Sequence, residues 1–344
     1  MTPEQVLDYP HAAPPPPGTT REVAPGVHWL RMPLPFALDH INLWLLEDGA
    51  ALVLVDCGLG NQTTRDLWQQ IFDGFFGGRP VSRVIATHLH PDHAGNAGWL
   101  TERFQAPLVM SQSEYLMAHA WRDQTGGYSI EALTTHLARH GLDSARVAAL
   151  GSRGNAYERA VPEFPRAYRR IVDGDEVAIG GRVWRVIIGY GHAPEHASLY
   201  CAELGVLISG DMLLPRISTN ISVHQVDPDG NPLALFLASL QRLVGLTPGD
   251  TLVLPSHGLP FRGMRERVAQ LEEHHRLRLA ELEDACTAPK SAADAIGTLF
   301  RRPLDVHQTL FAMGEAIAHL NYLMHEQVLA RHSGDDGILR FVRA

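Results

Sequence analysis

Residues 87–95 read THLHPDHAG and place three histidines and one aspartate within six consecutive positions. In an extended segment alternate side chains point the same way, so His88 and His90 can face one point. Asp92 and His93 then turn toward a neighbouring point. Imidazole nitrogens and carboxylate oxygens suit zinc, iron or manganese. The stretch therefore predicts a loop that holds two metal ions, rather than a polar turn of capping histidines.

The residues around this stretch predict that it lies between a strand and a helix. The apolar run 83–86 leads directly into it, and residues 94–104 have a helical pattern. Further apolar runs at 27–30, 41–46 and 51–55 predict strands upstream, because each is closed by turn-forming residues. A loop after a strand is a common place for an active site.

Two coordination shells need more ligands than one loop supplies, and later strand ends offer them. The predicted strands 183–188, 206–209 and 252–254 are each followed by one ligand-type residue: His192, Asp211 and His257. Loops that follow core strands cluster along one rim of a sheet. The four segments together indicate one shared metal site.

On these residues the chain resembles the metallo-β-lactamase superfamily of hydrolases, whose pattern is HxHxDH, a distant His, an Asp and a last His. The likeness covers about residues 25–262. It implies an α/β fold, the αββα metallo-β-lactamase sandwich. It also implies seven metal ligands, three for one ion, three for the other and one bridging both: His88, His90 and His192; Asp92, His93 and His257; and Asp211.

Two polar residues near the ligands also match the family. Asp56, in LVLVDCG, matches a strand-end aspartate that orients ligands from behind, and a strand-capping aspartate is the alternative. His196 matches the last histidine of the family's GHxPxH segment, with an orienting or a structural role. The histidines of the helical segments, such as His136 and His275, are predicted to lie on the surface or in a satisfied core.

In such a site the nucleophile is water rather than a side chain. Two divalent cations, zinc with iron or manganese as alternatives, lower the pKa of a bridging water, and Asp92 can also steer the resulting hydroxide. The sequence contains no GxSxG motif that would indicate a serine nucleophile. We therefore expect hydrolysis by a metal-bridged hydroxide without a covalent enzyme intermediate.

The sequence pattern divides the chain into three parts. Residues 1–24 form an N-terminal arm with prolines at 14–17, and residues 25–262 form the catalytic domain. A helical insertion at about 112–170 is expected over the site. Residues 263–344 form a C-terminal helical domain in which no strand is predicted before 338–342. This tail is similar to the winged-helix-like module of the LACTB-2-like branch.

The substrate is the least constrained feature. The core resembles glyoxalase II-like hydrolases, which implies a small thioester or ester such as an acyl-CoA. The tail gives a single-stranded RNA endonuclease as the alternative, and a lactonase is another. Five arginines near site segments are candidates for binding a substrate phosphate or carboxylate, with solvated surface residues as the alternative: Arg166, Arg169, Arg170, Arg216 and Arg262. His224 is a further candidate substrate residue.

Composition limits the partners and the location. The net charge of -9 argues against broad attraction to nucleic acid. The widely spaced Cys57, Cys201 and Cys286 predict structural thiols rather than a thiolate metal site. No signal peptide or long apolar run is found, so we expect a cytoplasmic enzyme without membrane contact. That location disfavours a β-lactam substrate. Only Lys290 of the 29 basic residues is lysine, a bias typical of GC-rich bacterial genomes, so we expect a bacterial protein. The apolar stripe of the tail allows a homodimer surface.

Overall fold

The computed structural model of the protein describes residues 7–344, so the first six residues of the predicted arm lie outside the described residues. Contacts group the chain into two units. The first unit comprises the chain up to Arg122, Tyr157–Thr219 and Ser239–Val268. The second unit comprises Asp123–Ala156, Asn220–Ala238 and Ala269–Ala344. The division predicted at residues 262 and 263 stays a prediction.

The first unit contains a seven-stranded mixed sheet, in which the strands lie in chain order. Neighbouring strands are antiparallel from β1 to β4 and parallel from β4 to β7. The strands are β1 (Arg21–Ala24), β2 (Val27–Pro33), β3 (His40–Asp48), β4 (Ala51–Val55), β5 (Val81–Ile85), β6 (Leu108–Met110) and β7 (Tyr168–Arg170).

A second sheet of the first unit has five strands in the order β12-β11-β10-β9-β8. Only the β11–β12 pair among these strands is parallel. The strands are β8 (Glu176–Ile179), β9 (Arg182–Gly189), β10 (His196–Cys201), β11 (Val206–Gly210) and β12 (Leu252–Pro255).

The apolar core lies between these two sheets. Alternate residues of each strand point to one face, so Val53 and Val55 of β4 face the same cluster as Trp184 and Ile188 of β9. Each large buried side chain of this kind stabilises the fold by roughly 1.5–3 kcal/mol relative to an exposed one. The layered arrangement confirms the predicted α/β sandwich.

Eleven α-helices occur in residues 7–344. None of them combines the length and apolarity that a membrane crossing needs. The helices are α1 (Gln62–Ile71), α2 (Pro91–Ala94), α3 (Ala97–Phe104), α4 (Gln112–Arg122), α5 (Ile130–Arg139), α6 (Ser144–Ser152), α7 (Ala156–Ala160), α8 (Pro232–Leu246), α9 (Met264–Ala285), α10 (Ala292–Leu299) and α11 (Val306–His325).

The second unit is mostly helical. Helix α11 starts with a capping box, in which Asp305 accepts the N–H of Gln308 and the side chain of Gln308 accepts the N–H of Asp305. A two-stranded antiparallel sheet of β13 (Leu329–Ser333) and β14 (Leu339–Arg343) follows it. The helical character of the C-terminal region is confirmed, whereas its winged-helix classification stays a prediction.

Two of the strands differ from the sequence-based expectation. The basic run at 168–170, expected to end the helical insertion, is strand β7, because its backbone pairs with β6 at the edge of the first sheet. Strand β13 lies before residue 338, where no strand was expected, and it pairs with β14. The helical part of the insertion ends at Ala160. Both errors arise because tertiary pairing overrides a weak local pattern.

Candidate metal centre

Neighbouring parallel strands bring the ligand loops together. Strands β4 and β5 are paired so that Val55 lies beside Ile85, and the chain beyond them carries Asp56 and the THLHPDHAG stretch. In the second sheet, Gly210 at the end of β11 lies beside Pro255 of β12. Asp211 and the 256–258 loop therefore follow neighbouring strand ends. All these loops follow carboxyl ends of strands, where α/β folds place ligands.

Three imidazole nitrogens converge to form the first group. His88 Nε2 lies 2.8 Å from His90 Nδ1, and His90 Nδ1 lies 3.0 Å from His192 Nε2. The remaining distance, between His192 Nε2 and His88 Nε2, is 3.2 Å. Nitrogens that bind one tetrahedral zinc ion lie about 3.3 Å apart, given Zn–N bonds of about 2.0–2.1 Å. The trio therefore has the shape of one face of a metal site.

A second group lies next to the first and combines Asp92, His93 and His257. Asp92 Oδ2 lies 3.4 Å from His257 Nε2 and 3.8 Å from His93 Nε2. This group offers a carboxylate oxygen and two imidazole nitrogens. Such a set suits a divalent cation of the zinc, iron or manganese type.

Asp211 lies between the two groups. Its Oδ2 is 3.4 Å from His192 Nε2 of the first group and 3.6 Å from His93 Nε2 of the second. Its Oδ1 is 3.4 Å from His257 Nε2. One carboxylate therefore faces both groups, as a bridging ligand would. All seven residues expected from the sequence are brought together.

Two buried atoms at this place need a partner that the described protein atoms do not supply. His93 Nε2 and Asp211 Oδ1 make no hydrogen bond within residues 7–344. Leaving a buried polar atom unpaired costs about 1–3 kcal/mol. Both atoms face the other ligand-type atoms, so a cation bound among them would satisfy both. The residues present therefore fit a metal centre.

Comparison with known proteins agrees with this geometry. The sequence profile of the Metallo-beta-lactamase superfamily matches residues 37–257, which is more than half of the chain. The chain belongs to the metallo-beta-lactamase superfamily. A second profile, that of the metallo-beta-lactamase-like C-terminal domain, matches residues 279–344.

Individual members of the superfamily are similar over most of their length. A beta-lactamase domain protein from Burkholderia ambifaria is 50% identical over 100% of both chains, with a TM-score of 0.93. A metallo-beta-lactamase family protein from Thermus thermophilus is 30% identical over 94% of this chain and 100% of its own, with a TM-score of 0.79. The probable metallo-hydrolase YqjP of Bacillus subtilis is 25% identical over 88% of this chain and 93% of its own.

Two further relatives are named for a substrate. The acyl-coenzyme A thioesterase MBLAC2 of Gallus gallus is 26% identical over 67% of this chain and 77% of its own. The hydroxyacylglutathione hydrolase of Idiomarina loihiensis is 22% identical over 64% of this chain and 62% of its own. The protein is thus a metallo-hydrolase of the metallo-beta-lactamase superfamily, and its His and Asp groups imply divalent metal ions.

The electrostatics of the metallo-beta-lactamase site differ between the two groups. Burial lowers the pKa of His88 and His90 well below the usual value, so both imidazoles are neutral and have a free lone pair. Burial also opposes charge on His257, but the carboxylates of Asp211 and Asp92 outweigh it and raise the pKa of His257 to about 10. The carboxylate-rich half therefore attracts positive charge, from a proton or from a metal ion.

Asp56 contacts His93 at the ring nitrogen that faces away from the other ligand-type atoms. Its Oδ2 lies 2.8 Å from His93 Nδ1, and its Oδ1 accepts the N–H of Thr87 at 2.8 Å. A carboxylate at Nδ1 fixes the proton there and leaves Nε2 facing the other ligand atoms. Asp56 has the left-handed φ of +64°, which aspartate tolerates better than most residues. These contacts match the orienting role that the sequence left open.

His196 contacts the backbone of Asp211. Its Nε2 accepts the N–H of Asp211 at 3.1 Å, and the ring is fully buried at the start of β10. Gly210 makes this approach possible, because a Cβ there would lie 2.3 Å from His196 Nε2. Gly210 also has a φ of +54°, which favours glycine. His196 therefore holds the Asp211 loop.

His40 and Thr87 are among the residues beside the ligands that sequence reasoning missed. The carbonyl oxygen of His40 lies 2.7 Å from His257 Nδ1, and His40 Nε2 accepts the N–H of Gly258 at 2.9 Å. The hydroxyl of Thr87 lies within 3.0 Å of both oxygens of Asp56. Thr87 adjoins the histidine stretch, so its position was a signal. The sequence contained no signal for His40, because its contact with His257 is made by a backbone carbonyl.

The candidate substrate residues are spread over the chain. Arg166 precedes β7, and β4 to β7 are parallel, so Arg166 lies at the opposite end of the sheet from the ligand loops. That placement does not support a contact with substrate at the metal centre. Arg169 and Arg170 are exposed on the edge strand, Arg216 is exposed after Asp211, and His224 belongs to the second unit. Their substrate roles stay predictions.

The three cysteines are free and buried, as expected for structural thiols. Burial raises the pKa of the Cys57 thiol well above its usual value. Cys57 follows Asp56 in the chain, but it belongs to none of the groups of converging ligand-type side chains within residues 7–344. The donor set consists of nitrogen and oxygen atoms.

Proposed function

We propose that this protein is a two-metal hydrolase of small thioesters or esters, with an acyl-CoA as the preferred substrate class. The observation that carries the proposal is the arrangement of seven ligand-type residues in two adjacent groups with Asp211 between them. A closed structural zinc site uses four ligands, so seven exceed what one structural ion needs. Zinc is the metal that we propose.

The two groups of ligand-type residues would each hold one ion. His88, His90 and His192 would hold one ion, and Asp92, His93 and His257 the other. When bound, the two ions would supply an activated water and polarise the carbonyl of the substrate. Asp56 fixes the tautomer of His93, and the His40 carbonyl fixes that of His257.

The residues beside the metal centre favour an acyl substrate. The Trp121 ring stacks over His90 with a centroid distance of 6.3 Å and an interplanar angle of 21°. Tyr157 meets Trp121 edge to face at 5.4 Å. Both side chains are half-buried, so they offer apolar surface next to the ligands. The thioesterase relative adds support from outside the chain.

The test is a hydrolysis screen on protein whose bound metal has been quantified. The substrates are acyl-CoA thioesters of several chain lengths, lactoylglutathione, a homoserine lactone and a fluorogenic single-stranded RNA. We expect about two zinc ions per chain and thioester turnover that Asp211→Ala abolishes. The matched control is Asp335→Ala, which removes an exposed carboxylate from the turn between β13 and β14 and should leave turnover unchanged.

Three outcomes would contradict the proposal. Cleavage of RNA alone would replace the thioesterase with a nuclease. Turnover of the lactone alone would replace it with a lactonase. Equal thioester turnover by wild type and by metal-free Asp211→Ala protein would overturn the metal mechanism.

A further inference from the structure

Helix α4 directs one buried side chain at both loops of the first ligand group. Glu114 is fully buried, and its Oε2 accepts the N–H of Leu89 at 2.9 Å. Its Oε1 accepts the N–H of Glu195 at 2.7 Å. Leu89 lies between His88 and His90, and Glu195 lies three residues after His192. One carboxylate thus joins the two loops that carry the first group.

The contact between α4 and the second of these loops is reciprocal. Glu195 Oε2 accepts the N–H of Ser113 at 3.0 Å, and the Glu195 carbonyl accepts the hydroxyl of Ser111 at 2.8 Å. With the Glu114 contact, three hydrogen bonds fix Glu195 against the start of α4. The loop that carries His192 is therefore fastened to this helix.

Tyr157 completes the support of the first loop. Its hydroxyl donates to the Leu89 carbonyl at 2.7 Å. Both polar groups of Leu89 are therefore satisfied by side chains, from Glu114 and Tyr157, and not by a regular backbone ladder. Buried backbone groups need such partners, so losing either side chain would release the loop locally.

The second ligand group is held by other residues. Asp92 and His93 lie on α2, and His93 is oriented by Asp56. His257 is oriented by the carbonyl of His40. Neither contact involves α4 or α7. The hydroxyl of Thr87 contacts both groups, since it lies 3.1 Å from His88 Nδ1 and 3.2 Å from His93 Nδ1. The contacts of Glu114 and Tyr157, in contrast, are made to Leu89 and Glu195 in the loops of the first group.

We propose that Glu114 is a positioning residue that sets the separation of the two loops carrying His88, His90 and His192. Tyr157 assists by holding the Leu89 carbonyl. The affinity of this half of the centre for its metal ion then depends on Glu114, while the affinity of the other half does not. This inference rests on the two-metal function proposed above.

Glu114→Gln in the full-length protein is the test. Glutamine has one acceptor oxygen, and its NH2 group would face one of the two N–H donors, so one of the two bonds is lost. Chelator competition would measure the affinity of each of two zinc equivalents. We expect one affinity to fall about 10–100-fold, as for other residues that orient ligands, and the other to stay within about twofold.

A second readout locates the change. Crystals of Glu114→Gln at one zinc equivalent should show anomalous scattering at Asp92, His93 and His257, and little at the first group. The matched control is Glu102→Gln, an exposed glutamate of α3, which should leave both affinities unchanged. If Glu114→Gln fails to fold, Tyr157→Phe is tested instead. We expect it to lower the affinity of the first group for zinc by a smaller factor and to leave the affinity of the second group unchanged.

The outcomes separate this inference from the function on which it rests. Equal loss of both affinities, or a lower unfolding midpoint of the metal-free protein with both affinities intact, would mean a merely structural role and overturn the inference. Two unchanged affinities would also overturn it. Wild-type protein that binds no zinc would instead overturn the proposed function.

Discussion

Two sets of buried histidines in this protein have the same residue type and opposite surroundings. The first set lies in the metal centre of the first unit, where three aspartates face the imidazoles. The second set lies on helices of the second unit or directly after one: His136, His140, His275 and His319. Among the described residues, every group of three ligand-type side chains lies in the first unit. Histidine density alone therefore does not make a metal site.

The histidines of the second set form two pairs without a carboxylate ligand. His136 and His140 are one turn apart at the end of α5, with ring centroids 4.6 Å apart. His275 Nδ1 lies 3.1 Å from His319 Nε2. Within residues 7–344, both ring nitrogens of His140 and Nε2 of His136 and His275 have no hydrogen-bond partner. The sequence predicted surface or satisfied core roles; all four side chains are buried, and the satisfaction of these ring nitrogens stays a prediction.

The largest expected effect is the loss of Asp211, the carboxylate that faces both ligand groups. Asp211→Ala should lower hydrolysis by at least about 10³-fold, since the metals contribute several kcal/mol to the transition state. The metal content should fall from two ions per chain. Circular dichroism should show an intact fold. His140→Ala, a buried histidine of the second set, should keep both ions, and loss of metal there would break the comparison.

The next largest effect is a pH dependence of the stability of the second unit. Burial lowers the folded-state pKa of His136 and His319 to about 4 and of His140 and His275 to about 3. In the unfolded chain these four histidines bind protons below about pH 6.5. In the folded chain their side chains stay uncharged down to about pH 4. The free energy of unfolding is therefore at its full value above about pH 6.5. As the pH is lowered below that value, it decreases by about 1.4 kcal/mol per pH unit for each histidine.

Hydrogen exchange followed by mass spectrometry between about pH 7.5 and pH 5 measures this effect, after correction for the intrinsic exchange rate. Peptides from α5 and α11 should lose protection first. Arg139 and Arg331 lie near His140, so their positive charges add to the cost of protonating it. Equal protection of these helices at both pH values would contradict the conclusion that their buried histidines are uncharged in the folded protein.

A smaller effect is expected from the aspartate that orients His93. Asp56→Asn replaces the acceptor at His93 Nδ1 and should weaken metal binding about 10–100-fold, with the fold retained. Isothermal titration with zinc measures it. Asp229→Asn, which changes a carboxylate of the second unit, is the control. If the two variants bound zinc equally well, Asp56 would be only a strand cap.

The smallest effect is the removal of an unpaired histidine from the second set. His140→Leu replaces two buried nitrogens that lack partners within residues 7–344 and should raise the free energy of unfolding by about 1 kcal/mol near neutral pH. The metal content should stay at two ions. Thermal unfolding and metal analysis measure both. A fall in metal content would mean that the pair His136 and His140 binds metal after all.

The ligand set could be predicted from the sequence because its information is local. Four of the seven ligands lie within residues 88–93, and the others each follow an apolar strand. The residues that hold the ligands were less predictable. Glu114 and Tyr157 contact the backbone of Leu89 from 25 and 68 positions away. No spacing rule links a helix side chain to a distant peptide group.

Strands were predictable from the sequence where apolar runs are long. The prediction failed for strands that form only because a neighbouring strand pairs with them. Strands β3 and β4 are apolar over most of their length, since they lie inside the first sheet. Strand β13 reads LARHS and β7 reads YRR, and neither has an apolar pattern. Each forms because a neighbouring strand offers backbone partners. Edge strands of this kind depend on tertiary context that a sequence alone does not display.

The most direct test of the proposed two-metal centre is anomalous diffraction from crystals of the zinc-loaded protein. We predict two zinc ions about 3.5–4 Å apart, one at His88, His90 and His192 and the other at Asp92, His93 and His257. No zinc should lie between His136 and His140. A single ion, or an ion bound by the helical histidines while the first unit holds none, would contradict the account.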